Sequence, residues 1–118
     1  MSKHSKIGVK GEQIAEYFLQ KKGYIILHRN WRAGKKEVDI IALKAEVVVI
    51  VEVKARSGTQ FAYPEEAVTA KKRAHLKAAA LIFMDTFPQY RNIRFDIVSV
   101  LFRERALPEV MHFEEAFY

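Results

Sequence analysis

The chain contains no cysteine. That single absence excludes disulfides, thiolate metal sites and a cysteine nucleophile, and it suits a reducing compartment. Glycine is sparse, and Gly8-Val9-Lys10-Gly11 is too thin to be a phosphate-cradling loop. Long apolar runs are missing too. The longest, Ala78–Met84 and Val47–Val51, fall far short of the ~20 residues that a membrane-crossing helix needs. The basic start Met1-Ser2-Lys3-His4-Ser5-Lys6 is followed by no apolar segment, so no secretory signal is expected. His4, His28, His75 and His112 are not spaced as ligands of one ion, and neither Ser57 nor Ser99 has an evident partner histidine. The expectation is a soluble cytoplasmic protein with one domain over residues 1–118, large enough to bury a core without covalent staples.

Positive charge is abundant and unevenly placed. The net charge is +6, but residues 1–36 hold nine Lys or Arg against two Glu, and residues 71–94 hold six against one acid. Between them, residues 37–70 are net acidic. Basic flanks suit a polyanion, because each phosphate contact releases counterions. An acidic centre repels phosphate unless a cation sits between the two.

Periodicity predicts a helix over residues 9–22 with an apolar stripe of Ile14, Ala15, Phe18 and Leu19, stopped at Gly23. A short strand follows at Tyr24–Leu27 and a loop at Asn30–Lys36. Glu37–Leu43 and Val47–Ala55 read as a hairpin joined by Lys44-Ala45-Glu46. Ser57–Pro64 reads as a loop, Thr69 as the cap of a helix over residues 70–86, Ile93–Phe102 as a strand, and Val110–Phe113 as a short extra strand. The hairpin strands are apolar at nearly every position, so both faces are expected to be covered. The fold class is therefore α/β: a three-layer α/β/α domain in the order α-β-β-β-α-β with a mixed sheet.

The hairpin carries the chemistry. If Leu43 pairs with Val48, then Ile41 faces Ile50, Asp39 faces Glu52 and Glu37 faces Lys54. Asp39 and Glu52 then share one face with their Cβ atoms roughly 5 Å apart. The other face holds Val38, Ile40, Ala42, Val47, Val49, Val51 and Val53. Two carboxylates so close repel unless a proton or cation lies between them, and hard oxygens at that separation suit Mg²⁺. Lys54 can neutralise charge there or stabilise a phosphorane. Two readings stand: a structural ion-pair cluster with Lys54 and Arg56, or a metal site. Valine and isoleucine neighbours favour the second, because burying such groups without function is costly. On the first helix Glu12 lies at the rim of the stripe and Glu16 further toward solvent. Trp31, between Arg29 and Arg32, either stacks on a base or anchors a loop. Lys71, Lys72, Arg73 and Lys77 either contact phosphates or form a solvated face.

Taken in order, Gly11-Glu12-Gln-Ile-Ala-Glu-Tyr-Phe-Leu, Gly23-Tyr24-Ile-Ile-Leu-His-Arg29-Asn30-Trp-Arg32, Glu37-Val-Asp39-Ile-Ile-Ala, Val51-Glu52-Val-Lys54-Ala-Arg56 and Arg94-Phe95-Asp96-Ile-Val resemble the UPF0102 (YraN-like) family. That family is similar to archaeal Holliday-junction resolvases of the restriction-endonuclease-like superfamily. Where its members often carry Gly-Glu-Ile-Asp, this chain has Lys36-Glu37-Val38-Asp39, keeping both acids. The resemblance implies a Mg²⁺-dependent (or Mn²⁺-dependent) DNA endonuclease. Asp39, Glu52 and the Val53 carbonyl would hold the metal, Glu12 a second metal or a metal-bound water, and Lys54 the attacking water. Lys10, Arg29, Arg32, Arg56, Lys71, Lys72 and Arg73 would hold nucleic acid, and a homodimer follows by analogy. The rival expectations are a nucleic-acid-binding module without catalysis and an adaptor for an acidic protein.

Overall fold

The computed structural model describes residues 5–63 and 68–118. Helix α1 spans Lys6–Lys21, and Ser5 caps it by accepting the Gly8 N–H at 3.1 Å. It ends at Gly23, whose φ of 91° lets the Gly23 and Tyr24 N–H groups turn back onto the Gln20 and Leu19 carbonyls. Three strands follow: β1 (Ile25–Ala33), β2 (Lys36–Lys44) and β3 (Val47–Ser57). Helix α2 spans Ala70–Thr86, capped by Thr69, whose hydroxyl accepts the Lys72 N–H. Strands β4 (Asn92–Phe102) and β5 (Glu109–Phe117) complete the order.

The five strands stand in sequence order, antiparallel except for the parallel β3–β4 pair that α2 connects. The sheet is mixed and covered on both sides. Val48, Ile50 and Ile97 pack with Leu76, Ala79, Ala80 and Phe83 of α2. Val49, Val51, Val53 and Val98 pack with Ala15 and Leu19 of α1. The expected three-layer arrangement is therefore present, and the expected hairpin register holds for Leu43–Val48 and Ile41–Ile50, but the ladder stops at Ile40–Val51, before the expected Asp39–Glu52 and Glu37–Lys54 pairs.

Three expectations change. The loop over Asn30–Lys36 is mostly strand, because β1 runs to Ala33 and turns on Gly34-Lys35 alone. Its polar residues belong to an edge strand, and Gly34, at φ 64°, makes the tight turn. The last strand is longer than Val110–Phe113, for the same reason: an edge strand needs no continuous apolar run. Finally, the face assignment of β2 slips by one residue. Ile40 and Ala42 share a face with Val49, Val51 and Val53 as expected, the face that α1 covers, but Val38 packs in the α2-side cluster with Ile41. The residue where alternation breaks is Asp39.

Helix α1 lies close against β3 because Gly11 has no side chain. A Cβ at Gly11 would stand 2.6 Å from the Ala55 Cβ. At the other end of α1 a buried ion cluster ties β4 to β5. Arg94 donates two hydrogen bonds to Asp96, both 2.9 Å, and another to the Tyr24 hydroxyl. His112 Nε2 lies 2.7 Å from Asp96, and its Nδ1 lies 2.8 Å from the Lys22 ammonium. An ammonium has only protons to give, so Nδ1 accepts and Nε2–H donates to Asp96. Burial alone would raise the Asp96 carboxyl. Hydrogen bonds from His112, Arg94 and the Glu115 N–H, with the Arg94 charge, outweigh it and hold the group below its ordinary value.

Two outcomes follow. Gly11→Ala gains about 1 kcal/mol of helix propensity but overpacks the α1–β3 contact at a cost of about 1–3 kcal/mol. Urea unfolding should show a net loss, partly recovered when Ala55→Gly is added. Asp96→Asn should cost about 3 kcal/mol at pH 7, because it removes the buried carboxylate on which the hydrogen bonds from Arg94, His112 and the Glu115 N–H converge. The folded carboxyl is depressed, so its contribution is present above the unfolded value of about 4 and is lost as pH falls through the lower folded value. The gap between Asp96→Asn and wild type in urea titrations should therefore close below pH ~4. A gap that stays constant to pH 2 would mean that the Asp96 charge does not contribute to stability.

Candidate active site

The β2–β3 ladder ends at the pair Ile40–Val51, whereas β3 continues beside β4 as far as Ser57–Phe102. Beyond that end the main-chain pairing is replaced by a side chain: Asp39 Oδ2 accepts the Val53 N–H at 2.8 Å. Asp39 and Glu52 are only 1% and 2% exposed. Both buried carboxylates thus belong to the stretch where the two strands part.

They do not sit on one face as the alternation implied. The phase slip turns Asp39 toward α1, where it lines a cleft of about 180 Å³ with Glu12, Glu16, Arg29 and Asn30. Glu52 follows Val48 and Ile50 toward α2, and its Oε2 lies 3.8 Å from the Lys72 ammonium. The strand break is thus flanked by two buried acids that turn toward different helix layers.

Glu12 reaches this region from α1, and its Oε1 accepts the Asn30 side-chain N–H at 2.9 Å. Glu16 does not face open solvent. Its carboxylate takes two hydrogen bonds from Arg29, at 2.6 and 2.5 Å, which raise the Arg29 guanidinium above its ordinary value. Arg29, expected to hold phosphate, is therefore engaged by a carboxylate. Lys54 and Arg56 are half-buried along β3 beyond Glu52. The Val53 N–H is used by Asp39. Trp31 is a half-buried residue of β1 set edge-on against Phe83, an anchor rather than an open stacking platform.

The other basic residues divide. Lys10, Arg32 and Lys71 are exposed, with Arg32 loosely facing Glu37 at 3.9 Å. Lys72 points to Glu52, and Arg73 donates to the Val68 carbonyl at 3.0 Å. Sequence reading did not single out Asn30, nor the contact of Lys72 with Glu52. An asparagine inside a strand is a readable signal, since Asn tolerates left-handed backbone. The lysine contact is set by how α2 lies on the sheet, which no local pattern encodes.

Among the described residues no three His, Asp or Glu side chains are gathered closely enough to hold an ion by themselves. The donor chemistry nevertheless fits Mg²⁺ or Mn²⁺. Two buried carboxylates offer hard oxygens, and Mg²⁺ is commonly held by one or two carboxylates, with water and substrate phosphate completing the shell. No described helix is long and apolar enough to cross a membrane.

Comparison with known proteins agrees with this architecture. Residues 11–100 match the family described as "Uncharacterised protein family UPF0102". A UPF0102 protein of Bacteroides thetaiotaomicron is 45% identical over 118 residues, covering 100% of this chain and 97% of that protein. One from Syntrophomonas wolfei is 41% identical over 113 residues, covering 95% and 97%. Among solved structures, Hjc of Archaeoglobus fulgidus, a Holliday junction resolvase, superposes with a TM-score of 0.50 and 19% identity over 87% of this chain and 72% of its own. At that identity the likeness is one of fold.

Asp39→Asn keeps an oxygen to accept the Val53 N–H while removing a buried charge. In EDTA its melting temperature should equal or exceed that of wild type by a few degrees, the sign expected when a buried charge is retained at a cost in stability. A fall of more than about 5 °C, roughly 1 kcal/mol or more for a domain of this size, would mark Asp39 as a structural residue.

Proposed function

This chain belongs to the UPF0102 family, and on that footing we propose that it is a metal-dependent endonuclease that hydrolyses phosphodiester bonds of DNA, with branched, Holliday-junction-like DNA as the substrate class. The observation that carries the reading is the pair of buried acids, Asp39 and Glu52, at the parting of β2 and β3, with Lys54 two residues beyond. A carboxylate pair kept inside a sheet costs stability and finds its reason in chemistry. The named activity of the fold relative, Holliday junction resolution, supports the substrate class.

In this reading Asp39 and Glu52 hold Mg²⁺ or Mn²⁺, with the Val53 carbonyl as a further oxygen. The bound cation supplies a lowered water pKa and charge neutralisation at the phosphate. Lys54 donates to a non-bridging phosphate oxygen as negative charge develops there, or orients the attacking water. Glu12 orients water from the α1 side. Asp39, by holding the Val53 N–H, fixes the strand that carries both Glu52 and Lys54. Lys10, Arg32 and Lys71 are exposed and suit backbone phosphates, while Arg56 is half-buried on β3. A two-fold dimer matches a substrate with two strands to cut.

The test is cleavage of labelled duplex, single-stranded, flap and four-way-junction DNA with Mg²⁺, Mn²⁺ or EDTA. Product should require metal, be greatest on the junction, and fall at least a hundredfold in Glu52→Gln and Lys54→Ala, as losses of ligands and charge-stabilising groups do. Salt-sensitive binding with no product from any substrate would replace this reading with that of a binding module.

A further inference from the structure

Two irregularities of the sheet face each other. Arg29 pairs with Ile40 and Trp31 with Val38, and between those pairs stand Asn30 and Asp39. Asn30 has a left-handed backbone, φ 49°, inside β1. Asp39 is where β2 loses its alternation. Neighbouring strand residues ordinarily point to opposite faces. Here Arg29 and Asn30 both reach α1: Arg29 binds Glu16, and Asn30 binds Glu12, one helical turn earlier. The left-handed residue is what permits this. Glu12, Asn30 and Asp39 consequently line the same cleft.

We propose that Asn30 is a positioning residue of the active site: its amide holds the Glu12 carboxylate toward Asp39, so that the helix carboxylate acts with the strand carboxylates. This rests on the nuclease reading above. The Arg29–Glu16 pair is the companion anchor, fixing the helix turn next to Glu12. Asparagine meets both needs at once, since it accepts left-handed backbone and offers an N–H donor. Glycine would meet only the first, and aspartate would set a carboxylate against a carboxylate.

The experiment compares wild type, Asn30→Gly, Glu12→Ala and the double variant. Calorimetric Mn²⁺ titration of the protein alone, steady-state cleavage with Mg²⁺, and urea unfolding are measured for each. Asn30→Gly keeps the backbone, and it should weaken Mn²⁺ binding and lower kcat each about tenfold, the usual scale for loss of a partner of a ligand, with KM for DNA nearly unchanged. Added to Glu12→Ala it should cost nothing more in any of the three readouts. If Asn30→Gly does not fold, Asn30→Asp serves: it should unfold at lower urea than wild type, but not when Glu12 is Ala. Normal Mn²⁺ binding and kcat in Asn30→Gly would overturn the proposal, as would losses that multiply in the double variant. A wild type that neither binds Mn²⁺ nor cuts DNA overturns the nuclease reading and the positioning role with it. The urea cycle would still report whether Asn30 and Glu12 are coupled.

Discussion

The hydrogen bond from the Val53 N–H to Asp39 Oδ2, 2.8 Å long, governs the geometry of the site. A main-chain donor in a buried strand must be satisfied, and a neighbouring strand normally does it. Here an aspartate does it instead, so β2 and β3 can part without leaving that donor unmet. Parting leaves the Asp39 carboxylate between the two strands, with Glu52 of the adjacent β3 position turned toward α2. Asp39 therefore has a structural duty that an amide can fulfil, and in the proposed nuclease a chemical one that only a carboxylate can.

The two helices then complete the site from opposite sides. Gly11 lets α1 approach β3 closely, which brings Glu12 of the next position within reach of the strand break. Helix α2 presents Lys72 to Glu52 from the first turn. That ammonium offsets part of the cost of a buried carboxylate, while Asn30 and Arg29 do the corresponding work for Glu12 and Glu16. Much of the basic charge suggestive of a polyanion surface is thus used within the molecule. Arg29, Lys72 and Arg73 have intramolecular partners, whereas Lys10 and Lys71 stand exposed. The Asp96 cluster, at the far end of α1, serves cohesion: it joins β4, β5 and the end of α1 through Arg94, His112 and Lys22.

Order of elements, two-sided burial of β3, the hairpin register and the acids Asp39 and Glu52 were legible in the sequence. Each depends on periods of two or 3.6 residues, or on residue types that are costly to bury, and those are local properties. The strand character of Asn30 to Ala33 was not legible, because an edge strand carries polar residues just as a loop does. Glu16 looked solvent-facing on a helical wheel, which places residues around an axis but is blind to the arginine that β1 brings beside it.

By itself the sequence determined that a doubly covered mixed sheet forms and that its central hairpin carries charge into the interior. Only the tertiary structure decided that Asp39 and Glu52 are reached from different layers, that Asn30 adopts left-handed backbone opposite Asp39, and which cations are already spent on partners. The reason is physical. Periodicity assigns faces as long as each strand keeps its phase, and a single residue out of phase reverses the assignment of everything before it. Whether that slip occurs depends on which donors and acceptors the neighbouring strand leaves to be met, and that is known only once the strands are side by side.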